Sequence, residues 1–181
     1  MALNPVTGKY TRSSNGGAFN PFADYQIQGQ TYFATAPLLK QNVIASPAAT
    51  FQIQPAQTGS MFLFDRASGV AYTLPPPSPG LFFDFVVTTT ITSGAASVTT
   101  DAATTFLLGA VLVAVADTTP SATAGPKLEV ANGTSTVTVS SNGTTSGGIK
   151  GQQYRISCVS ATQWNITGFI YGSGTIITPF A

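Results

Sequence analysis

The run Phe82–Thr92, FFDFVVTTTIT, decides how this chain folds. Phe83, Phe85, Val87, Thr89 and Ile91 share one side of it, and Phe82, Asp84, Val86, Thr88, Thr90 and Thr92 share the other. A period of two marks a strand with one face in a core, because a helix needs its apolar residues three and four apart. The odd-numbered side is therefore expected to face inward.

Upstream, Pro75, Pro76, Pro77 and Pro79 cannot donate to a ladder and hold φ near −65°, so PPPSP reads as a stiff connection between sheets that ends at Gly80. Before it, MFLFDR (61–66) and VAYTL (70–74) flank Ala67-Ser68-Gly69, a pattern that predicts a three-residue hairpin with Gly69 at positive φ. Downstream, FLLGAVLVAVA (106–116) is too short to cross a bilayer and reads as a buried strand, a core helix being the alternative for so short an apolar run. The segment TSTVTVS lies between Asn132-Gly133 and Asn142-Gly143, both signals for two-residue type I′ turns, and predicts a three-strand meander. In Gln153–Ser160 the inward residues are Tyr154, Ile156 and Cys158 with Arg155 outward; in Gln163–Thr167 they are Trp164 and Ile166. SGTIITPF supplies a last short strand. Short strands at this spacing, with no amphipathic helix, make residues 50–181 an all-β domain, a jelly-roll-like β-sandwich.

Residues 1–49 differ. They are rich in Asn, Gly, Pro and Gln, with Tyr10, Phe19, Phe22, Tyr25, Tyr32 and Phe33 placed without a period of 2 or 3.6. Disordered tails are poor in aromatics and usually charged, so an extended N-terminal arm fits better, anchored through those six rings. Forty-nine extended residues reach on the order of 160 Å, so the arm packs either on its own domain or across a neighbouring subunit. Nothing in the N-terminal stretch reads as a secretory signal, and no stretch is long and apolar enough for a membrane helix; a soluble, unprocessed protein is expected.

Composition narrows the chemistry. Seven Lys+Arg and six Asp+Glu leave 7% charged residues and a net charge of +1, scattered without a basic cluster, which argues against a nucleic-acid partner. With no histidine and one cysteine, the usual zinc sites, Ser-His and Cys-His pairs and an intrachain disulfide are all ruled out, and no cofactor is expected. Instead, 27 Thr and 16 Ser solvate the sheets. Few charges remain to protect sheet edges, so an obligate assembly is expected to cover edges and apolar patches, through the 12 Phe, 6 Tyr and 1 Trp.

The best carboxylate pair for a glycosidase is Asp65 with Asp84, both in strands that could be sheet neighbours; an Asp65–Arg66 ion pair and a solvated Asp84 are the stronger reading, and the chain is not expected to be an enzyme. Asn132, Asn142 and Asn165 head Asn-x-Ser/Thr sequons, but turn chemistry explains the first two and Asn165 falls in a strand. Cys158 reads as a small buried hydrophobe. Trp164 could serve as a sugar-stacking platform but reads as core.

The region SMFLFDRASGVAYTLPPPSPGLFFDFVVTTTITSGAASVTT and the closing WNITGFIYGSGTIITPF resemble the capsid decoration (cement) proteins of tailed bacteriophages, through a hydroxyl-rich, nearly chargeless β-domain with a D-R-x-x-G-x-x-Y-x-L-P hairpin. The resemblance covers Phe51–Ala181. It implies a virion structural protein on the capsid surface, a homotrimer at local threefold axes whose partner is the major capsid protein and whose arm clamps adjacent capsomers. It carries over no catalytic residues. A receptor- or carbohydrate-binding module of a phage fibre, using Trp164 or Tyr171, is the alternative.

Overall fold

The computed structural model describes residues 25–27, 30–32, 41–46, 48–116 and 125–181. The chain divides into two units, Met1–Lys40 and Gln41–Ala181. In the first, β1 (Tyr25–Ile27) and β2 (Gln30–Tyr32) pair antiparallel with Tyr25 opposite Tyr32. The other arm positions singled out above, Tyr10, Phe19, Phe22 and Phe33, lie outside the described residues.

Among its described residues the second unit holds β3 (Val43–Ile44), β4 (Thr50–Gln52), β5 (Met61–Phe64), β6 (Ala71–Thr73), β7 (Phe82–Val87), β8 (Ala96–Thr99), β9 (Phe106–Val115), β10 (Lys127–Asn132), β11 (Thr138–Ser141), β12 (Gln153–Ser160) and β13 (Gln163–Gly172), with a 3₁₀ turn at Pro55–Gln57. One sheet has seven strands in the order β10-β9-β13-β12-β7-β5-β3, and the other four in the order β11-β8-β6-β4. They pack as an all-β sandwich. The pairing is mixed: β3-β5-β7, β4-β6-β8 and β9-β13 are parallel, the rest antiparallel. Because β3 starts at Val43, the sandwich takes in residues that the composition alone assigns to the arm.

The alternation in Phe82–Thr92 holds through β7, where Phe83, Phe85 and Val87 are buried; the ladder stops at Val87, and beyond it Ile91 is buried while Thr89 is only partly covered. PPPSP runs from β6 in the small sheet to β7 in the large one, the expected crossing. The expected hairpin over 61–74 is corrected. β5 belongs to the seven-stranded sheet and β6 to the four-stranded one, so the chain makes an arch between sheets. The turn itself forms, with Gly69 N–H donating to Arg66 C=O at 2.9 Å and φ of +79°. The strands splay because both carry large rings, which meet across the core: Phe64 and Tyr72 are edge-on at 5.1 Å, and Phe62 and Tyr72 at 5.4 Å. Three such arches, β3–β4, β5–β6 and β7–β8, stack in parallel, each supplying the next with ladder bonds in both sheets.

The meander is corrected in the same way: β10 lies in the large sheet, β11 in the small one and β12 back in the large one. Each Asn-Gly starts a longer loop because the asparagine side chain takes over the turn. Asn132 Oδ1 accepts from the N–H groups of Thr134, Ser135 and Thr136 at 3.0, 2.9 and 3.2 Å, and Asn142 Oδ1 from those of Thr144 and Ser146 at 2.9 and 3.1 Å. The final strand shrinks to one bridge, Phe180 to Val139, with Ser140 N–H donating to Pro179 C=O at 2.7 Å and Val137 N–H to Ala181 C=O at 2.8 Å.

Between the sheets, Phe62, Phe85 and Tyr154 stand side by side on β5, β7 and β12 with near-parallel rings 5.7 and 5.4 Å apart. Gly168 lies opposite Tyr154, where a Cβ would fall 2.6 Å from the tyrosine Cβ, so only glycine leaves that ring its place. Burial pushes the Tyr154 phenol far up, keeping it neutral.

Candidate interaction surface

With the odd positions of β7 and the even positions of β12 turned inward, the registers line up the opposite side chains in rows across the outer face of the large sheet. One row runs Leu128, Leu112, Phe169, Gln153, Val86 and Leu63 across β10, β9, β13, β12, β7 and β5. The next runs from Val130 through Ala110 and Thr167 to Arg155, Asp84 and Met61. Leu128 is 66% exposed, Val130 61% and Phe169 48%. One apolar side chain in the open needs no explanation, whereas three on one sheet face, beside the partly covered Leu112, Val86, Leu63 and Met61, make this face a candidate contact surface.

An ion pair sits in the middle of this face. Arg155 Nε donates to Asp84 Oδ1 at 2.7 Å and a second guanidinium nitrogen to Oδ2 at 2.9 Å, and Gln41 Nε2 adds a bond to Oδ2 at 2.6 Å. The guanidinium lies 4.9 Å from the Phe82 ring centre. Arginine beside the carboxylate holds Asp84 below the usual carboxylate range, against the opposing effect of partial burial, with Gln41 adding to it; the same contact raises Arg155. Among the described residues this is the one salt bridge. A shallow open depression of about 340 Å³ beside the pair is lined by Met61, Asp84, Gln153, Arg155, Thr167 and Phe169.

The structure separates the carboxylates considered for hydrolysis. β5 and β7 are neighbours, but Asp84 is opposite Met61, four positions before Asp65; at about 3.3 Å per residue the two stand roughly 13 Å apart, beyond the glycosidase spacing. A general acid also needs a raised pKa, and that of Asp84 is lowered. Asp65 accepts from Ser46 N–H at 3.3 Å and, among the described residues, makes no ion pair with Arg66; Asp84, expected to be solvated on the threonine-bearing face of its strand, is paired to Arg155. Asp101 caps a turn by accepting from Thr105 Oγ1 at 2.7 Å. Among the described residues no group of three His, Cys, Asp or Glu could hold a metal ion.

Cys158 is buried, its thiol pushed up by burial and donating to Ser160 C=O at 3.1 Å. Trp164 is fully buried, tilted against Phe83 at 5.9 Å, so it offers no platform to a sugar. Tyr171 lies on the outward side of β13, half-buried.

Arg155, Phe169, Leu128 and Val130 are the surface residues that sequence reasoning missed as a group. Only the outward position of Arg155 was signalled beforehand; the apolar rows depend on which strands become neighbours. No family model matches this chain, no curated protein matches it, and no solved structure matches its fold.

Proposed function

We propose that this chain is a virion structural protein that decorates and stabilises a bacteriophage capsid, binding between subunits of the major capsid protein as an oligomer on the capsid surface. The observation that carries the reading is the outer face of the seven-stranded sheet, where exposed Leu128, Val130 and Phe169 lie in the same rows as an ion pair. Such a face gains by being covered: burying what is still exposed of Leu128, Val130 and Phe169 contributes about 1–2 kcal/mol each. A wide face with a self-neutralised pair and only a shallow open depression suits broad, uncharged contact better than capture of a small molecule. The resemblance to decoration proteins supplies the shell as the thing contacted and three as the number of copies. In this reading the arm rings Tyr10, Phe19, Phe22, Tyr25, Tyr32 and Phe33 add anchors in the grooves between capsid subunits, and the chain has no catalytic role, cofactor, nucleic-acid partner or membrane partner.

The test is shell binding by protein lacking residues 1–40. The reading expects loss of binding with the β-sheet circular dichroism spectrum retained; undiminished decoration by the shortened chain would contradict it. The carbohydrate-binding alternative loses Trp164, which is fully buried, and keeps only the half-buried Tyr171.

A further inference from the structure

Four strands end the two sheets, and β10 differs from the other three. The edge at β11 is occupied by the C-terminal tail, through the bonds to Pro179 and Ala181. β3 has two residues and β4 three, too short to template much pairing. β10 has six, in unbroken register with β9 from Lys127 opposite Val113 to Asn132 opposite Leu108, with no proline and no bulge. Among the described residues no strand pairs with its outer edge. A continuous edge of that length, bearing exposed Leu128 and Val130, is a template for another strand.

The order of charges along β10 names the occupant. We propose that β10 pairs antiparallel with β10 of a second copy, about a twofold axis through Leu128. In that register Lys127 of each copy lies opposite Glu129 of the other, and the two Leu128 side chains meet at the axis. Moving the axis one residue, to Lys127 or to Glu129, sets like charges directly opposite each other, and any register between these would pair an inner-face residue with an outer-face one. The segment Lys-Leu-Glu is thus complementary to itself in one register. Lys127 Nζ also donates to Ile176 C=O at 3.3 Å, which uses one of three donors and leaves two. On the outer face the row Leu128, Leu112 and Phe169 continues into the same row of the second copy, so pairing covers Leu128 and joins two apolar surfaces into one. The contact is isologous and joins copies in pairs. It is distinct from the threefold association implied by the resemblance, goes beyond the capsid reading and does not depend on it.

Two measurements on the full chain, without any shell, test it. Residues opposite each other in an antiparallel pair have Cα atoms about 4.5–5.5 Å apart, within the roughly 4.4–6.8 Å a disulfide spans. In a Cys158→Ser background, Leu128→Cys is expected to give a disulfide-linked dimer on mild oxidation with oxidised glutathione. Val130→Cys is expected to give none, because the two thiols would stand about 13 Å apart along the strands. Both positions are exposed, so neither change threatens the fold. In sedimentation velocity, Glu129→Lys and Lys127→Glu are each expected to weaken self-association roughly tenfold, and the double exchange to restore it. A Leu128→Cys protein that stays uncrosslinked, equal crosslinking at both positions, or a double variant no better than either single change would overturn the proposal.

Discussion

Asp84 and Arg155 stand directly opposite each other on β7 and β12 and join through two hydrogen bonds of 2.7 and 2.9 Å on the outer face of the seven-stranded sheet. The pair draws Asp84 below the ordinary carboxylate range, so its folded-state pKa lies under the unfolded one. Its contribution is then fully present above about pH 4 and is lost as pH falls through the lowered value. Half of the Arg155 side chain is in solvent, and screening limits the effect to about 1 kcal/mol. Asp84→Asn should lower the thermal midpoint by a few degrees at pH 7, and the gap to wild type should close toward about pH 2. A gap that persists undiminished in acid would show that the charge is not its source.

The stacked arches rest on close backbone contacts. At Gly69, φ is +79° and a Cβ would sit 2.0 Å from the Ala95 carbonyl oxygen of the next arch; at Gly174, φ is +70° but the space is open. Gly69→Ala should therefore cost about 2–4 kcal/mol in urea unfolding and Gly174→Ala about 1 kcal/mol. Equal costs would mean that the arch contact adds nothing to the backbone preference.

Asn132 and Asn142 hold their loops through side-chain oxygens that accept several backbone N–H groups. Alanine at either position should cost about 1–2 kcal/mol, while aspartate, which keeps the acceptors, should stay within about 0.5 kcal/mol of wild type. Thermal unfolding of the four variants would check this; aspartate as damaging as alanine would contradict it.

The C-terminal tail covers the β11 edge through Pro179 and Ala181. Ending the chain at Thr178 should leave that edge open and lower the concentration at which the protein aggregates, as followed by static light scattering on heating. Unchanged aggregation would show that the tail is dispensable as a cover.

Much of the fold is legible in the sequence because the core strands obey a period of two: Phe83, Phe85 and Val87 on β7 and Tyr154, Ile156 and Cys158 on β12 are buried where the alternation puts them. The same alternation cannot separate a hairpin from an arch. MFLFDR and VAYTL would look identical in either, and Gly69 would turn the chain in both; the choice lies in Phe64 meeting Tyr72 across the core, a contact between sheets that spacing does not encode. The outer face was hidden for a related reason. In Lys127-Leu128-Glu129-Val130 the usual assignment buries the leucine and valine and exposes the charges, whereas β10 ends a seven-stranded sheet faced by only four strands and turns Leu128 and Val130 outward. Which face is covered depends on how many strands each sheet has, and that is settled only when the distant strands β9 and β13 pair in parallel.

Whether the outer face of the seven-stranded sheet is a contact surface can be measured by co-sedimentation of the full chain with purified capsid shells, comparing wild type with Phe169→Asp. Phe169 is half exposed, so aspartate there should leave the circular dichroism spectrum and thermal midpoint nearly unchanged. Saturable binding by wild type and at least tenfold weaker binding by the variant are expected; equal binding by the two proteins, or none by wild type, would mean that the face is not where the shell is met.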